Sequence, residues 1–474
     1  MQRLSQLRRA DASPGLVLVI VCAGVILAGL DLFIVNVALP EMAADFGGAS
    51  LADMSWVLNA YAIVYAALLL LLGRIAESRR RDLGFLVGVG VFTAASAACA
   101  AATSLEMLVV FRILQAAGAA LLTPTSLSLV LATTAPEKRQ GAVRAWAAVG
   151  GAAAALGPVA GGLLVGASWH WVFLVNVPIG LAAIAIGWRR LPRVPGHPVP
   201  RPDVLGAALA TGGIAALTLG LVKGDAWGWG DPATLVALGG SVLALAAFAL
   251  NTARHRNPLV DPALFRGRAF SAGSVSMLLF SISFGGLLLS AVLWAQNAWG
   301  WSPLQSGLAI APGPAMVPVF GLLVAGTLIP RFGAGRVAAL GASVFAAGLA
   351  WLALAIGVEP DYVGGMLGGL LVAGVGVGLT LPTLMSTAAG SLPPASFATG
   401  SAVVNTLRQV GLAIGVAVLV ALLGSTPDLD AFQLAWWVFA GVSLAAAAVV
   451  GLALGRGESA RAPAATVAGA EAGS

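Results

Sequence analysis

Long apolar runs separated by short polar breaks fill the chain from end to end. Runs that match the ~30 Å hydrocarbon layer of a bilayer lie at roughly 17–39, 55–75, 84–103, 106–131, 142–166, 170–188 and 203–222. Seven more lie at roughly 230–250, 270–291, 304–327, 336–357, 363–386, 401–423 and 432–454. Helices satisfy their own backbone groups in lipid, so the pattern predicts an all-α polytopic membrane protein with 14 transmembrane helices. The even number puts both termini on one side. The first run is too long for the core of a cleaved signal peptide and reads as a span.

Two polar breaks are longer than the rest. Residues 191–202 alternate proline with basic residues, which predicts a stiff extended linker. Residues 251–269 form the second, with Pro258 to Phe265 as a short amphipathic segment at the membrane interface. The hairpin between them, helices seven and eight, is nearly free of internal polar groups. The expected organisation is a six-helix bundle over 1–190, linkers and the inserted hairpin over 191–262, a second six-helix bundle over 263–455, and a disordered cytoplasmic tail over 456–474.

Composition agrees, since 59% of residues are hydrophobic and 9% charged, against about a quarter charged in soluble domains. The basic residues test the topology independently. With a cytoplasmic N-terminus, 22 of the 25 Lys and Arg residues fall inside, Lys223 alone falls outside, and Arg112 and Arg408 lie within spans. The net charge of +6 follows from this asymmetry and points to anionic lipid, not nucleic acid. Cys22 and Cys99 both lie in spans, so no disulfide is expected. Trp169, Trp171, Trp227, Trp229, Trp299 and Trp301 fall at outer helix ends, where amphipathic rings favour the interface.

Against this background Asp31 stands out, alone in an apolar run. An ionised carboxylate at that depth must be paired, hydrated or protonated. It reads either as a buried packing group or as a titrating group in a central cavity, raised in pKa by desolvation. Asn36 follows five residues later and need not share its face. Arg112 is the natural partner, because a guanidinium cannot shed its charge, and Gln115 lies on the same face three positions on. Snorkelling to the outer interface is the other reading of Arg112.

Helix five carries Gly157, Pro158, Gly161 and Gly162, a small-residue face with a bend, suited to close packing or to a moving seal. The loop after helix two contains Gly73, Glu77, Arg81 and Asp82. Its mixed charge suits ionic contacts broken in each cycle, or a plain anchor to the inner leaflet. Asn59, Tyr61 and Asn405 are candidate cavity residues, while Arg408 near an inner helix end suggests contact with lipid phosphate. His170, His197 and His255 lie at edges or in linkers, so no metal site is expected, and no phosphate-binding nucleotide motif occurs.

Several segments together resemble the major facilitator superfamily, and within it the fourteen-span drug:proton antiporters. They are Leu30 to Pro40, Trp56 to Tyr61, Arg112 to Gly118, Gly157-Pro158 with Gly161-Gly162, Trp169 to Gly180, Gly300 to Gly307, and Asn405 to Gly411. Phe33 stands where that family has threonine. In the loop after helix two, Glu77, Ser78, Arg80 and Asp82 depart from its pattern, and Ala116 replaces a common glycine. The resemblance implies two six-helix bundles around a central path, with helices seven and eight packed outside, in a bacterial cytoplasmic membrane. It further implies export of amphiphilic, cationic drugs or dyes in exchange for protons, with Asp31 as coupling carboxylate, by a monomer without cofactors. The alternative is a dedicated exporter of one metabolite or antibiotic, neutral or anionic, for which Arg112 is an anion contact.

Overall fold

The computed structural model describes residues 13–135, 138–196, 203–392, 397–424 and 427–454, and these are helical almost throughout. The expected tail at 456–474 lies outside the described residues. Helix α1 (Pro14–Asp45) begins where Ser13 accepts a hydrogen bond from the Leu16 amide and Pro14 takes the first helical position. It ends just before Gly47, whose φ of 73° suits a residue without a Cβ. After it come the short α2 (Leu51–Met54), α3 (Trp56–Ser78), α4 (Arg81–Ala100), α5 (Leu105–Thr133) and α6 (Arg139–Val165). The next expected span is divided into α7 (His170–Leu174) and α8 (Asn176–Arg190).

The hairpin is α9 (Val204–Trp227) and α10 (Pro232–Arg254), and α11 (Arg268–Leu293) follows. The expected span at 304–327 is broken into α12 (Pro303–Ile310), α13 (Pro312–Pro318), a π-helical stretch Val319–Val324 and α14 (Ala325–Phe332). Its prolines remove amide donors and bend the chain. The remaining helices are α15 (Ala334–Ala355), α16 (Gly368–Gly390), α17 (Phe397–Leu423) and α18 (Leu429–Leu454). Among the described residues, 12 helices are long and apolar enough to cross a membrane, and up to 13 if the bent α12 to α14 segment is one span. The described apolar part of α6 is only Leu156–Val165.

Helices α1 and α3 to α8 pack chiefly on one another, as do α11 and α15 to α18. The two groups meet where α3 lies on α17, and α12, packed on α6, leads into α13 on α16. Hairpin helix α9 packs on both α3 and α17 through Trp56, Ile214, Ala215 and Ala413, so it covers this seam from outside. Lys223 pairs with Asp53 beside α3.

Two interface expectations are corrected. Trp169 is 4% exposed: it stacks on His170 and donates to Asp45 at 2.9 Å. Trp299 is 7% exposed and donates to the Gly357 carbonyl, whereas Trp171, Trp227 and Trp229 are exposed. The linker at 191–196 is not a free spacer either. Leu191 and Val194 are buried, the Arg81 amide donates to the Val194 carbonyl at 3.0 Å, and the Val194 amide donates to Asp82 at 3.2 Å. Asp82 also pairs with Arg80 and holds that guanidinium above its ordinary range. The acid that breaks the expected basic pattern is therefore a clamp for the linker. Asp82→Ala leaves a buried amide without its acceptor, and is expected to cost about 1 kcal/mol and to speed protease cleavage in 191–196. Unchanged cleavage would count against the clamp.

Candidate functional site

Glycines decide which polar groups can meet. At Gly118 of α5 an added Cβ would lie 2.5 Å from the Phe92 amide nitrogen of α4, and at Gly88 of α4 it would lie 2.7 Å from that of Leu122. The α4 and α5 backbones therefore touch, which brings Ser96 and Cys99 onto Gln115. Gly180 of α8 packs on Thr93 in the same way and draws Asn176 into the group.

At the centre are Asp31 and Arg112, both fully buried. Arg112 Nη1 donates to Asp31 Oδ2 at 2.5 Å and to Gln115 Oε1 at 2.7 Å. Gln115 Nε2 donates to Asp31 Oδ1 at 2.8 Å, and Asn176 Nδ2 reaches the same oxygen at 3.4 Å. Ser96 accepts from Asn176 at 3.0 Å and from Gln115 at 3.2 Å, and donates to the Phe173 carbonyl. Arg112 Nε donates to the Val57 carbonyl at 3.0 Å, and its guanidinium lies 4.2 Å from the Tyr61 ring centroid, a cation–π contact. Arg112 Nη2 and Asn176 Oδ1 have no partner among the described residues. The ion pair is thus neutral as a whole but incompletely satisfied, an arrangement that a change of protonation can disturb.

A cavity of ≈ 610 Å³ lies between the two helix groups. It reaches from Phe33 and Ile310 toward Gly73, Leu131 and Trp146, at the end that carries the Arg79–Arg81 loop. Asp31, Arg112 and Gln115 do not line it, which corrects the expectation of a carboxylate in the central cavity. Tyr61 does line it and also faces Arg112, so its ring is the wall between the ion pair and the cavity. Asn405 lines the cavity too. Asn36 and Asn59 instead border a small void of ≈ 30 Å³ that shares only Leu32 and Leu288 with the main cavity. The Asn36 amide turns back to donate to the Leu32 carbonyl at 2.9 Å.

The glycines of α6 close the opposite end. A Cβ on Gly157 would lie 2.4 Å from Phe33, and one on Gly161 would lie 3.1 Å from the Ile34 carbonyl. Gly162 faces Pro303 and Leu304 of α12, and Gly307 of α12 faces the Pro158 carbonyl, a Cβ there falling at 2.2 Å. Pro158 and its neighbours thus join α1, α6 and α12 backbone to backbone. Phe33, in place of a hydroxyl partner for Asp31, packs on Gly157 and lines the cavity. Gly73 also lines the cavity, against Pro124. Arg81 takes part in the linker contact, and the Glu77 side chain lies outside the described residues.

Ser96 and Asn176 join the ion pair without having been singled out. Ser96 sits in an alanine-rich run with no distinguishing signal, while Asn176 lies in a segment noticed only for its resemblance. Arg408, expected at lipid phosphate, lines the cavity with Asn405 and Gln409. Its sequence signal was present, a permanent charge inside a span.

The sequence profile described as Major Facilitator Superfamily matches residues 21–415. The Tetracenomycin C resistance and export protein of Streptomyces glaucescens is 38% identical, over 88% of this chain and 77% of its own length. The Cephamycin export protein CmcT of Amycolatopsis lactamdurans is 36% identical, over 86% and 85%. The Methylenomycin A resistance protein of Bacillus subtilis is 33% identical, over 88% and 90%. A crystal structure of an auto-inhibited POT family peptide transporter shares the fold with a TM-score of 0.66 at 18% identity, covering 93% of this chain and 97% of that one. The chain is therefore a multi-pass membrane transporter of small molecules, and it belongs to the major facilitator superfamily.

Proposed function

We propose that the protein exports an amphiphilic organic substrate across the bacterial cytoplasmic membrane in exchange for protons, as a monomer with both termini in the cytoplasm. The observation that carries this reading is the Asp31–Arg112 pair, fully buried and separated from the cavity by Tyr61. A carboxylate so placed supplies a proton site apart from the substrate site. The two ligands then compete by favouring different conformations, not by sharing atoms. Export as the direction rests on the names of the relatives.

The basic Arg79–Arg81 loop marks the cytoplasmic end, so the cavity as seen is reached from the cytoplasm and the α6–α12 contact is the outer seal. Protonation of Asp31 from outside removes the charge that holds Arg112, which keeps the Val57 carbonyl, Gln115 and the Tyr61 face. The neutral carboxyl then tolerates the inward-facing state. Substrate entering beside Tyr61 favours loss of the proton to the cytoplasm and the outward turn, in which the glycine contacts of α6 part. The mixed-charge loop after α3 changes its contacts with the same motion.

The resemblance implies cationic substrates, and direct contact with Asp31 would give a cation a physical reason to bind. With Asp31 behind Tyr61 and held by Arg112, that reason falls away. The second reading, a dedicated exporter of one antibiotic or metabolite, is favoured by relatives named for single antibiotics. Either reading is tested by reconstituting the protein, imposing a pH gradient and following proton flux against a panel of aromatic amphiphiles of each charge. Substrate-dependent proton release is expected. Transport undiminished after collapse of both the pH gradient and the membrane potential would exclude antiport.

A further inference from the structure

The cavity wall is apolar over most of its surface, and among the described residues that line it Arg408 is the one charged side chain. No Asp or Glu faces it there, and Arg408 forms no salt bridge among the described residues. Its Nε donates to Asn405 Oδ1 at 3.2 Å, one turn back on α17. This bond fixes the plane of the guanidinium and leaves the two terminal nitrogens without a protein acceptor among the described residues. Beside it Gln409 is 3% exposed, and its Oε1 has no partner. Tyr65 of α3 lies beside Asn405 and Arg408, and its hydroxyl donates to Thr123 at 3.1 Å. Lipid phosphate does not explain an arginine that faces a cavity between helix bundles.

A guanidinium cannot deprotonate, and in apolar surroundings it must find carboxylate, carbonyl or water. It binds anionic oxygen in charge-assisted, often paired, hydrogen bonds. From this geometry we propose that Arg408, oriented by Asn405, is the specificity-determining residue of the cavity. It selects amphiphiles whose aromatic body carries an anionic oxygen, a carboxylate or an ionised phenol or enol, over lipophilic cations. The apolar wall between Phe33, Phe284 and Leu381 takes the body of such a molecule, and Arg408 with Gln409 takes its polar end. A cation would meet like charge in the cavity, and the carboxylate that would attract it is covered by Tyr61 and held by Arg112.

This inference rests on the export reading only in taking the cavity as the substrate site. Its test is equilibrium binding to the purified full-length protein in detergent with no gradient. The probes are fluorescein and rhodamine 123, which share a xanthene body and carry opposite charge at mildly alkaline pH. Wild type is expected to bind fluorescein on the order of tenfold or more tighter than rhodamine 123, the worth of one charge-assisted contact. Arg408→Gln should remove that preference, and Arg408→Lys should retain most of it. Equal affinity of wild type for both dyes, or tighter binding of rhodamine 123, overturns the proposal without any variant having to fold. So does an Arg408→Gln protein that still prefers fluorescein. The two readings fail separately. Fluorescein binding without proton exchange would sink the coupling but not the anion site, and proton-coupled export of rhodamine 123 in preference to fluorescein would do the reverse.

Discussion

Asp31→Asn is expected to abolish substrate-driven proton exchange and, at the same time, to destabilise the protein. Three donors converge on the carboxylate, from Arg112, Gln115 and Asn176. An asparagine offers them one acceptor oxygen and turns a fourth donor into the same space. It also leaves the buried Arg112 charge without a counter-ion, a loss of about 3–5 kcal/mol. Lost transport alone would therefore not distinguish a proton site from a structural one. The double variant Asp31→Asn/Arg112→Gln separates the two, because it removes both charges and leaves amides able to pair. It should recover most of the thermal stability in detergent while proton exchange stays absent. If Asp31→Asn still releases protons in proportion to substrate, coupling resides elsewhere. If the double variant recovers coupling along with stability, the pair only holds the fold.

This pair was legible from the chain, while its relation to the cavity was not. Asp31, the one acid in the apolar run 17–39, and Arg112, the one basic residue of α5, have few partners other than each other in lipid. The three-residue spacing of Arg112 and Gln115 put both on one face. Which face α1 turns toward the cavity was hidden for a physical reason. In a soluble helix an apolar stripe marks the core, but α1 is apolar on every side, so lipid, neighbouring helix and cavity leave the same trace. Leu32 and Phe33 line the cavity, while Asp31, about 100° and 200° round the helix from them, points to α5 and α8. The same uniformity hid Tyr61 as a wall and sent Arg408 to lipid, because depth in the membrane can be counted from a span whereas rotation about its axis cannot. The glycines were more informative. Their spacing announced close contact, and only the identity of the facing helices, α1 for Gly157 and Gly161 and α12 for Gly162, needed the structure.

The contact between α6 and α12 gives the second large effect. At Gly307 an added methyl would fall 2.2 Å from the Pro158 carbonyl oxygen, a backbone atom that cannot rotate aside. Gly307→Ala must therefore push α12 off α6, at about 1–3 kcal/mol by analogy with overpacked cores. That cost falls only on states in which this end is closed, so the population shifts toward opening there by roughly five- to two-hundredfold. The shift is read from Asn36→Cys, placed beyond the cavity toward the sealed end, as its labelling by a membrane-impermeant maleimide added from outside. Both native cysteines are buried, which keeps the background low. Labelling is expected to rise in Gly307→Ala and export to fall, since a transporter held open to one side completes fewer cycles. Gly441→Ala is the control: its added methyl meets nothing within 4 Å in α18, so it should change neither. Equal labelling in the two variants would mean that the α6–α12 contact is not the outer seal, whatever its tightness.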